Sequence, residues 1–471
     1  MESHKTFRSW EPDQYVQQPV TPAEVLPEDD LVFFLLETVP SLDLSAMYAH
    51  YERETRGAPP FDVALMATLL LYSYCVGVFS SRKIAAACER NLAFLAIVGR
   101  QRPDFRTISD FRKIHSPRME GLFVEVLRLA GELGLVKLGN LALDGTKARA
   151  NASRHKAMSY GYMEKELQRL RDEVAALMKQ AEQTDAEQDA ALGSRRGDEL
   201  PQELKRREDR IVAITAAKQR LEAAAQQAAE ALRREREQAQ AEREAQGTPP
   251  CGRPPKEIDD RPADKAQTNF TDPEAKIMKT SNKGFDYCFN GQIVVDEEHQ
   301  ISVAAEVTSQ ANDKQQAIPL AQATLENLAA AEIELPRTSN EPDAPPKPIP
   351  LSADNGYFSE DNVIGLESLP FDPHVATGRD KHHTPPPVAA GQPAAEATVK
   401  QRMAHKLRTP AGRQCYAKRK QIVEPVFGQL KQARGFRQFL LRGLKKVAAE
   451  WKLLCLTHNL LKIWRYKYAL T

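Results

Sequence analysis

Cysteine is scarce in this chain and scattered. The 471 residues hold six, Cys75, Cys88, Cys251, Cys288, Cys415 and Cys455, and no two lie closer than 13 positions apart. No C-x-x-C knuckle or paired framework exists, which excludes a disulfide scaffold and a cysteine zinc site and fits a reducing cytoplasm. A glycine-rich phosphate cradle of the P-loop type is also missing, so no nucleotide cofactor is expected. The start, Met1-Glu2-Ser3-His4-Lys5, is polar and unlike a signal peptide. Uncharged runs are rare. The longest candidate, Val63 to Ser81, spans 19 residues, but Thr68, Tyr72, Ser73, Tyr74 and Gly77 interrupt it and a buried helix is expected, not a membrane span.

An excess of one charge is absent from the total, 65 basic against 64 acidic residues, yet present locally. Residues 402–471 carry 17 basic and 2 acidic side chains, while residues 248–401 carry 13 and 24. Such segregation points to an acidic, metal-binding centre beside a tail that binds a polyanion.

The pattern divides the chain into a Pro-rich acidic arm (1–45), a helical domain (46–134), the first part of an α/β domain (135–157), a helical insertion (158–247), the second part of the α/β domain (248–401) and basic C-terminal helices (402–471). In the helical domain, Thr107 with Asp110 reads as a capping-box-like start. Its cations, among them Arg82, Lys83, Arg90, Arg100, Arg106, Arg112 and Lys113, suit either a helix-turn-helix-like DNA reader or an ordinary charged surface. Short apolar runs at 140–143, 292–295, 301–307 and 349–353 read as strands, with a hairpin turn at Asp296 to His299 and a helix from Asp313 to about Ala331. Between them, Met163, Leu167, Leu170 and Val174, then Ile211, Ile214, Lys218 and Leu221, step by three and four, the pattern of an antiparallel helical hairpin packed on itself.

Two aspartates follow strand patterns directly: Asp144 in Leu141-Ala142-Leu143-Asp144-Gly145 and Asp354 in Leu351-Ser352-Ala353-Asp354-Asn355-Gly356. Each is also what a turn before glycine favours. Were their strands neighbours, both carboxylates would project from one sheet edge, as a hard, oxygen-seeking Mg²⁺ requires. Glu424, just before Pro425, is one of the two acids in the basic segment; a third metal-binding carboxylate or a salt-bridge partner both suit it. Three carboxylates in this order fit a two-metal site for phosphoryl transfer, with basic residues holding the flanking phosphates. Asp296 is better read as part of a polar turn, Cys455 with His458 as packing, and His382-His383 as part of a Pro-rich loop.

At these residues the chain resembles the DDE transposases of bacterial insertion sequences. The resemblance runs through Leu143-Asp144-Gly145-Thr146-Lys147-Ala148-Arg149-Ala150-Asn151, Asp272-Pro273-Glu274-Ala275-Lys276-Ile277-Met278, Ala353-Asp354-Asn355-Gly356-Tyr357 and Val423-Glu424-Pro425-Val426-Phe427-Gly428-Gln429-Leu430-Lys431, and the helical segment before residue 134 is similar to the family's N-terminal domain. It implies a ribonuclease H-like α/β core with a mixed sheet, an all-α N-terminal domain that binds DNA, and Asp144, Asp354 and Glu424 as both catalytic acids and ligands of two Mg²⁺ ions, Mn²⁺ substituting. The family's Tyr-Arg-Glu-Lys signature is met by Lys420, Glu424 and Lys431, with Tyr416 and Arg419 one position out of register. Further implied are DNA contacts from Lys147, Arg149, Arg419, Lys420, Lys431, Arg434, Arg437 and Arg442, double-stranded DNA (terminal inverted repeats and target) as partner, a homodimer in the active complex, and a bacterial cytoplasmic, nucleoid-associated location. The implied activity is metal-dependent cleavage at the repeats followed by strand transfer; an endonuclease without strand transfer and an inactive DNA-binding relic are the alternatives.

Overall fold

The computed structural model describes residues 24–52, 59–99, 101–153, 156–192, 202–245, 257–280, 284–339, 344–378 and 387–469. Arg100, Cys251 and His382-His383 lie outside the described residues, as does the arm before residue 24. The N-terminal region is helical: α1 (Leu31–Thr38), α2 (Ser45–Tyr51), α3 (Val63–Cys75), α4 (Ser81–Arg90), α5 (Leu92–Val98), α6 (Phe105–His115) and α7 (Met119–Glu132). Aspartates start three of these helices. Asp30 accepts the Val32 N–H, Asp62 those of Ala64 and Leu65, and Asp104 those of Arg106 and Thr107, each satisfying donors that a first turn leaves open. Asp104, not Thr107, is therefore the cap of α6. The uncharged run from Val63 forms only the 13-residue α3, buried on nearly every side, and among the described residues no single helix is long and apolar enough to cross a membrane.

Next come β1 (Leu141–Arg149), β2 (Ala157–Ser159), α8 (Tyr160–Leu192), α9 (Gln202–Ala245), β3 (Gln267–Asn269), β4 (Lys276–Lys279), β5 (Phe285–Asp296), β6 (Ser302–Thr308), α10 (Ala317–Ala330), β7 (Ile349–Ala353), α11 (Glu360–Glu367) and β8 (Phe371–Val375). The main sheet is mixed. β5 pairs antiparallel with β1 on one side and with β4 and β6 on the other, and β1 pairs in parallel with β7, as β7 does with β8. A ribbon of β2 and β3 lies at the start of α8. Met163, Leu167 and Leu170 of α8 pack against Ile214 and Ala217 of α9 in a small core of their own, flanked by Glu164–Lys218 at 3.0 Å, Glu166–Arg210 at 2.9 Å and Glu173–Arg207 at 3.0 Å. These pairs ascend one helix while descending the other.

The chain then forms α12 (Val399–Arg408), α13 (Pro410–Gly428), a single π-helical turn (Gln429–Ala433) and α14 (Leu444–Ala469). The basic segment is not a solvent-facing tail. α14 buries Trp451, Leu453, Leu454, Cys455, Leu456, Leu460 and Ile463, each large apolar side chain contributing on the order of 1.5–3 kcal/mol. One continuous core joins the N-terminal helices, the sheet and α13–α14. Polar contacts tie the layers: Tyr74 donates to Glu450 (3.0 Å), Asn459 exchanges two hydrogen bonds with the backbone of Ser302, and the Trp451 indole donates to the Gln292 carbonyl (2.9 Å). Gly291 is required there, because a Cβ would meet the Trp451 ring at 2.8 Å. The Asp272-Pro273-Glu274 motif has a structural use: Asp272 accepts the Gly443 N–H and Glu274 the Leu444 N–H, capping α14 from across the sequence. Asp296, placed by its sequence in a polar turn, is fully buried and accepts the N–H groups of Lys137 and Leu138.

His458 is buried on α14 with Nε2 2.8 Å from the Gln300 carbonyl, and burial, with Arg434 nearby, pushes its pKa down to about 3. Cys455 and His458 are thus packing residues. The imidazole stays neutral when folded but protonates below about 6.5 when unfolded, so its stabilising contribution is whole above that pH and declines as pH falls toward 3. Urea unfolding at pH 7 and pH 4.5 is expected to show His458→Gln losing about 2–3 kcal/mol less than wild type over that interval; equal losses would refute this.

Candidate active site

Strand β1 does not end at Asp144. Antiparallel pairing to β5 continues from Asp144↔Ile293 to Arg149↔Cys288, whereas parallel pairing to β7 stops at Leu143↔Ala353. The expected strand end is real only on the β7 side, because β7 is shorter. Asp144 and Asp354 are the residues that follow this last pair, on strands about 4.8 Å apart. The first turn after β7 is closed by Asp354 itself, which accepts the Gly356 N–H at 2.8 Å.

Alternation along β1 separates two faces. Asp144 and Thr146 project toward α13: Arg419 Nη1 lies 3.0 Å from Asp144 Oδ2, and Lys431, in the π-helical turn, donates to Thr146 Oγ1 and to the Lys147 carbonyl (2.8 Å). Asp144 Oδ1 accepts the Gly145 N–H at 2.8 Å. Burial raises the Asp144 pKa to about 6; Arg419 opposes this and the Asp354 charge adds to it. Burial also lowers the Lys431 pKa to about 8, with Arg437 and Lys147 contributing. Tyr416 lies under Arg419, ring centre to guanidinium 6.0 Å.

The opposite face holds a residue that the sequence did not single out. Asp313, before α10, accepts the side-chain amides of Asn290 (2.6 Å) and Gln292 (2.7 Å) at Oδ1 and pairs with Lys147 at 3.3 Å through Oδ2. Gln292 in turn accepts the Tyr357 hydroxyl, and Tyr357 sits three residues beyond Asp354. Gly145 and Gly356 leave the room: a Cβ on the first would overlap Gln292 Nε2, and one on the second would meet Asp354 Oδ1 at 2.9 Å. The signal for Asp313 was indirect. Asn290 and Gln292 are fully buried in the middle of β5, and buried amides need an acceptor.

Of the expected site residues, Asp144, Asp354 and Arg419 come together. Glu424 is exposed on α13, five residues or about 7.5 Å along the axis from Arg419, on the helix that covers the Asp144 face. Among the described residues, no three His, Cys, Asp or Glu side chains are gathered tightly enough to hold a metal ion.

A family model described as "Transposase DDE domain" matches residues 391–464, and one described as "Transposase domain (DUF772)" matches residues 21–114. Both segments are thus similar to transposase domains. No curated protein and no solved structure matches it. The first transposase match covers α12, α13 and most of α14, with Arg419, Glu424 and Lys431; the second covers α1 to most of α6. Asp144, Asp313 and Asp354 fall between them.

Three of the cations expected to contact DNA face inward, Arg419 being buried against Asp144. Arg434 is buried, donating to Thr457 Oγ1 (2.7 Å) and to the carbonyls of Leu454 (3.1 Å) and Tyr74 (3.4 Å); it joins α14 to α3 and is closed to phosphates. Lys431 is half-buried against β1. Lys420, Arg437 and Arg442 are exposed, Arg442 bonding to Asn151, while Arg149 reaches Gln438 (3.2 Å) and Asp286 (3.9 Å).

Proposed function

We propose that this chain is a transposase, which cleaves DNA at the terminal inverted repeats of its element and joins the freed 3′ ends to target DNA, with Asp144, Asp354 and Glu424 as its acids. The observation that carries the reading is the register: two aspartates directly follow the last paired residues of adjacent parallel strands, under a helix that brings Arg419 onto one of them. The sheet order β6-β5-β1-β7-β8, with antiparallel pairs on one side of β1 and parallel pairs on the other, supports a ribonuclease H-like core, into which α8 and α9 are inserted as a helical hairpin.

Asp144 and Asp354 suit a hard divalent cation. They are oxygen donors, and the raised pKa of Asp144 marks a carboxylate whose charge lacks sufficient compensation in the protein alone. They would hold Mg²⁺, two ions with Glu424 included, and the metal would supply Lewis acidity at the scissile phosphate and a more acidic attacking water or 3′-hydroxyl. The chain's own residues do the rest. Arg419 orients Asp144; Lys147 and Lys431 place positive charge along β1; Lys420, Arg437 and Arg442 present cations to the flanking DNA, making binding salt-dependent. Cutting and joining two ends requires two such sites, hence a dimer in the active complex.

The test is incubation of end-labelled DNA carrying the sequences that flank the gene with a supercoiled target and Mg²⁺, comparing wild type with Glu424→Gln. Cleaved and joined products from wild type alone are expected. Cleavage without joining would leave an endonuclease, and equal activity in the variant would remove Glu424 from the site.

A further inference from the structure

Helix α13 does not turn Glu424 toward the two aspartates. At 3.6 residues per turn, Glu424 points about 140° around the helix from Arg419, the residue that lies on Asp144. Arg419, Ile422, Val423, Val426 and Leu430 form the buried face, while Glu424 and Pro425 are exposed. The same helix carries one residue more than a regular path needs. The surplus sits in the π-helical turn Gln429–Ala433, where the Arg434 N–H bonds to the Gln429 carbonyl at 3.0 Å, five residues back instead of four.

A second weak point adjoins Glu424. Pro425 has no N–H to give the Gln421 carbonyl, and Gln300 Nε2 donates to that carbonyl instead, at 2.9 Å. Both ends of the stretch are held by buried arginines, Arg419 on Asp144 and Arg434 on Thr457. Between these fixed points the surplus residue has two places to go. Moving it from the π-turn to the turn before Pro425 rotates residues 424–428 back by one position, about 100°, and leaves Glu424 about 40° from Arg419. The core then exchanges Val426 for Phe427, which is half-buried at the edge of the same core. Apolar residues at both 426 and 427 let either register bury one of them, and Gly428, turned at the same time, brings no side chain with it.

We propose that α13 is a two-register switch, in which Glu424 faces outward while the surplus residue occupies the π-turn and joins Asp144 and Asp354 when it moves to the Pro425 turn. Asp144 and Asp354 favour the inward register once they share a divalent cation, because only there does Glu424 add its charge to theirs. The inference rests on Glu424 being the third acid, as proposed above.

The experiment treats full-length Val426→Cys and Val423→Cys chains with a maleimide, free and with Mn²⁺ plus a 30-base-pair duplex of the sequences flanking the gene. Alkylation is read by mass spectrometry on the peptide that carries the substitution. Val426→Cys is expected to react slowly in the free chain and at least about 10-fold faster with Mn²⁺ and duplex, while Val423→Cys, ahead of the moving stretch, stays slow in both. Mn²⁺ affinity in the presence of duplex, followed by electron paramagnetic resonance, is expected to fall by about 10-fold in Glu424→Gln. It should fall equally in a chain lacking the exposed Gln432, which keeps the wild-type thermal midpoint but has no residue to move. Fast labelling at both valine positions would mean local unfolding of α13 and overturn the switch. Protection of Val426→Cys throughout, or wild-type Mn²⁺ affinity without Gln432, would overturn it while leaving Glu424 as an acid if Glu424→Gln still weakens Mn²⁺ binding. Equal affinity in Glu424→Gln and wild type, or no Mn²⁺ binding at all, would defeat both the switch and the reading it rests on.

Discussion

Asp144→Asn is expected to reduce cleavage at the element end by at least about 10³-fold, the scale on which removal of one preorganised charge from a phosphoryl- or acyl-transfer site acts, while DNA binding persists. It should also change how stability depends on pH. The wild-type carboxyl has its folded pKa raised to about 6 by burial and by Asp354, above the roughly 3.9 of an unfolded aspartate. The folded protein therefore holds this proton more tightly: the group contributes most below pH 3.9, and its contribution declines as pH rises to about 6, by up to about 3 kcal/mol. Asparagine has no such slope. Absolute stability is the poorer readout, since the variant also leaves Arg419 facing an amide. Chemical unfolding of both proteins from pH 4 to 7 should show their difference drifting in the variant's favour, and parallel curves would mean that Asp144 is not the strained carboxylate described above.

Asp313→Asn is expected to be nearly as damaging despite the residue's position behind the sheet. Its two oxygens serve three donors, and an amide can present only one acceptor. Whichever way it turns, an NH₂ group faces either Lys147 or the paired amides of Asn290 and Gln292. Leaving buried partners of a charged acceptor unmatched costs about 2–3 kcal/mol, and Gln292 then releases Tyr357, which closes the turn carrying Asp354. The expected pattern is a kcat lowered about 10²-fold with duplex affinity unchanged. A proportional loss of affinity, or a fully active variant, would show that Asp313 does not position the two aspartates.

What could be read from the sequence follows physical range. Apolar runs at 292–295, 301–307 and 349–353 located strands because burial on both faces leaves a local trace. The outer half of β1, Gly145 to Arg149, leaves none: it is held in the sheet by β5, 140 residues later, and not by its own composition. Asp354 was visible because strand, acid and glycine adjoin, whereas Asp313 lies in Ala311-Asn312-Asp313-Lys314, where the sequence marks it only as the start of a helix. Thr107 gave a plausible cap, but Asp104 stood closer to the first N–H groups. Arg434 illustrates the commonest misreading. A cation among cations suggests a phosphate ligand, and only the fold reveals that Thr457 and two carbonyls surround it. Elsewhere in the segment, Lys406 pairs with Asp372, Lys418 with Glu297, Lys452 with Glu120 and Glu306, and Lys467 with Glu37, so part of the linear charge segregation is cancelled on folding.

The position of α14 in the chain has a consequence for synthesis. Every element it packs against, from α1 and α3 to β5 and β6, precedes it, and it fills the space between them. A nascent chain can form helices and hairpins as they emerge, but the N-terminal helices lack the helix that joins them to the sheet, and β5 lacks Trp451 over Gly291, until α14 has been translated. A chain arrested by a stop codon or frameshift anywhere before Leu444 would thus be a substrate for proteases and not a partly active nuclease. If the proposed activity holds and the chain cuts the DNA encoding it, folding that waits for α14 confines the power to cut to chains that carry the whole core.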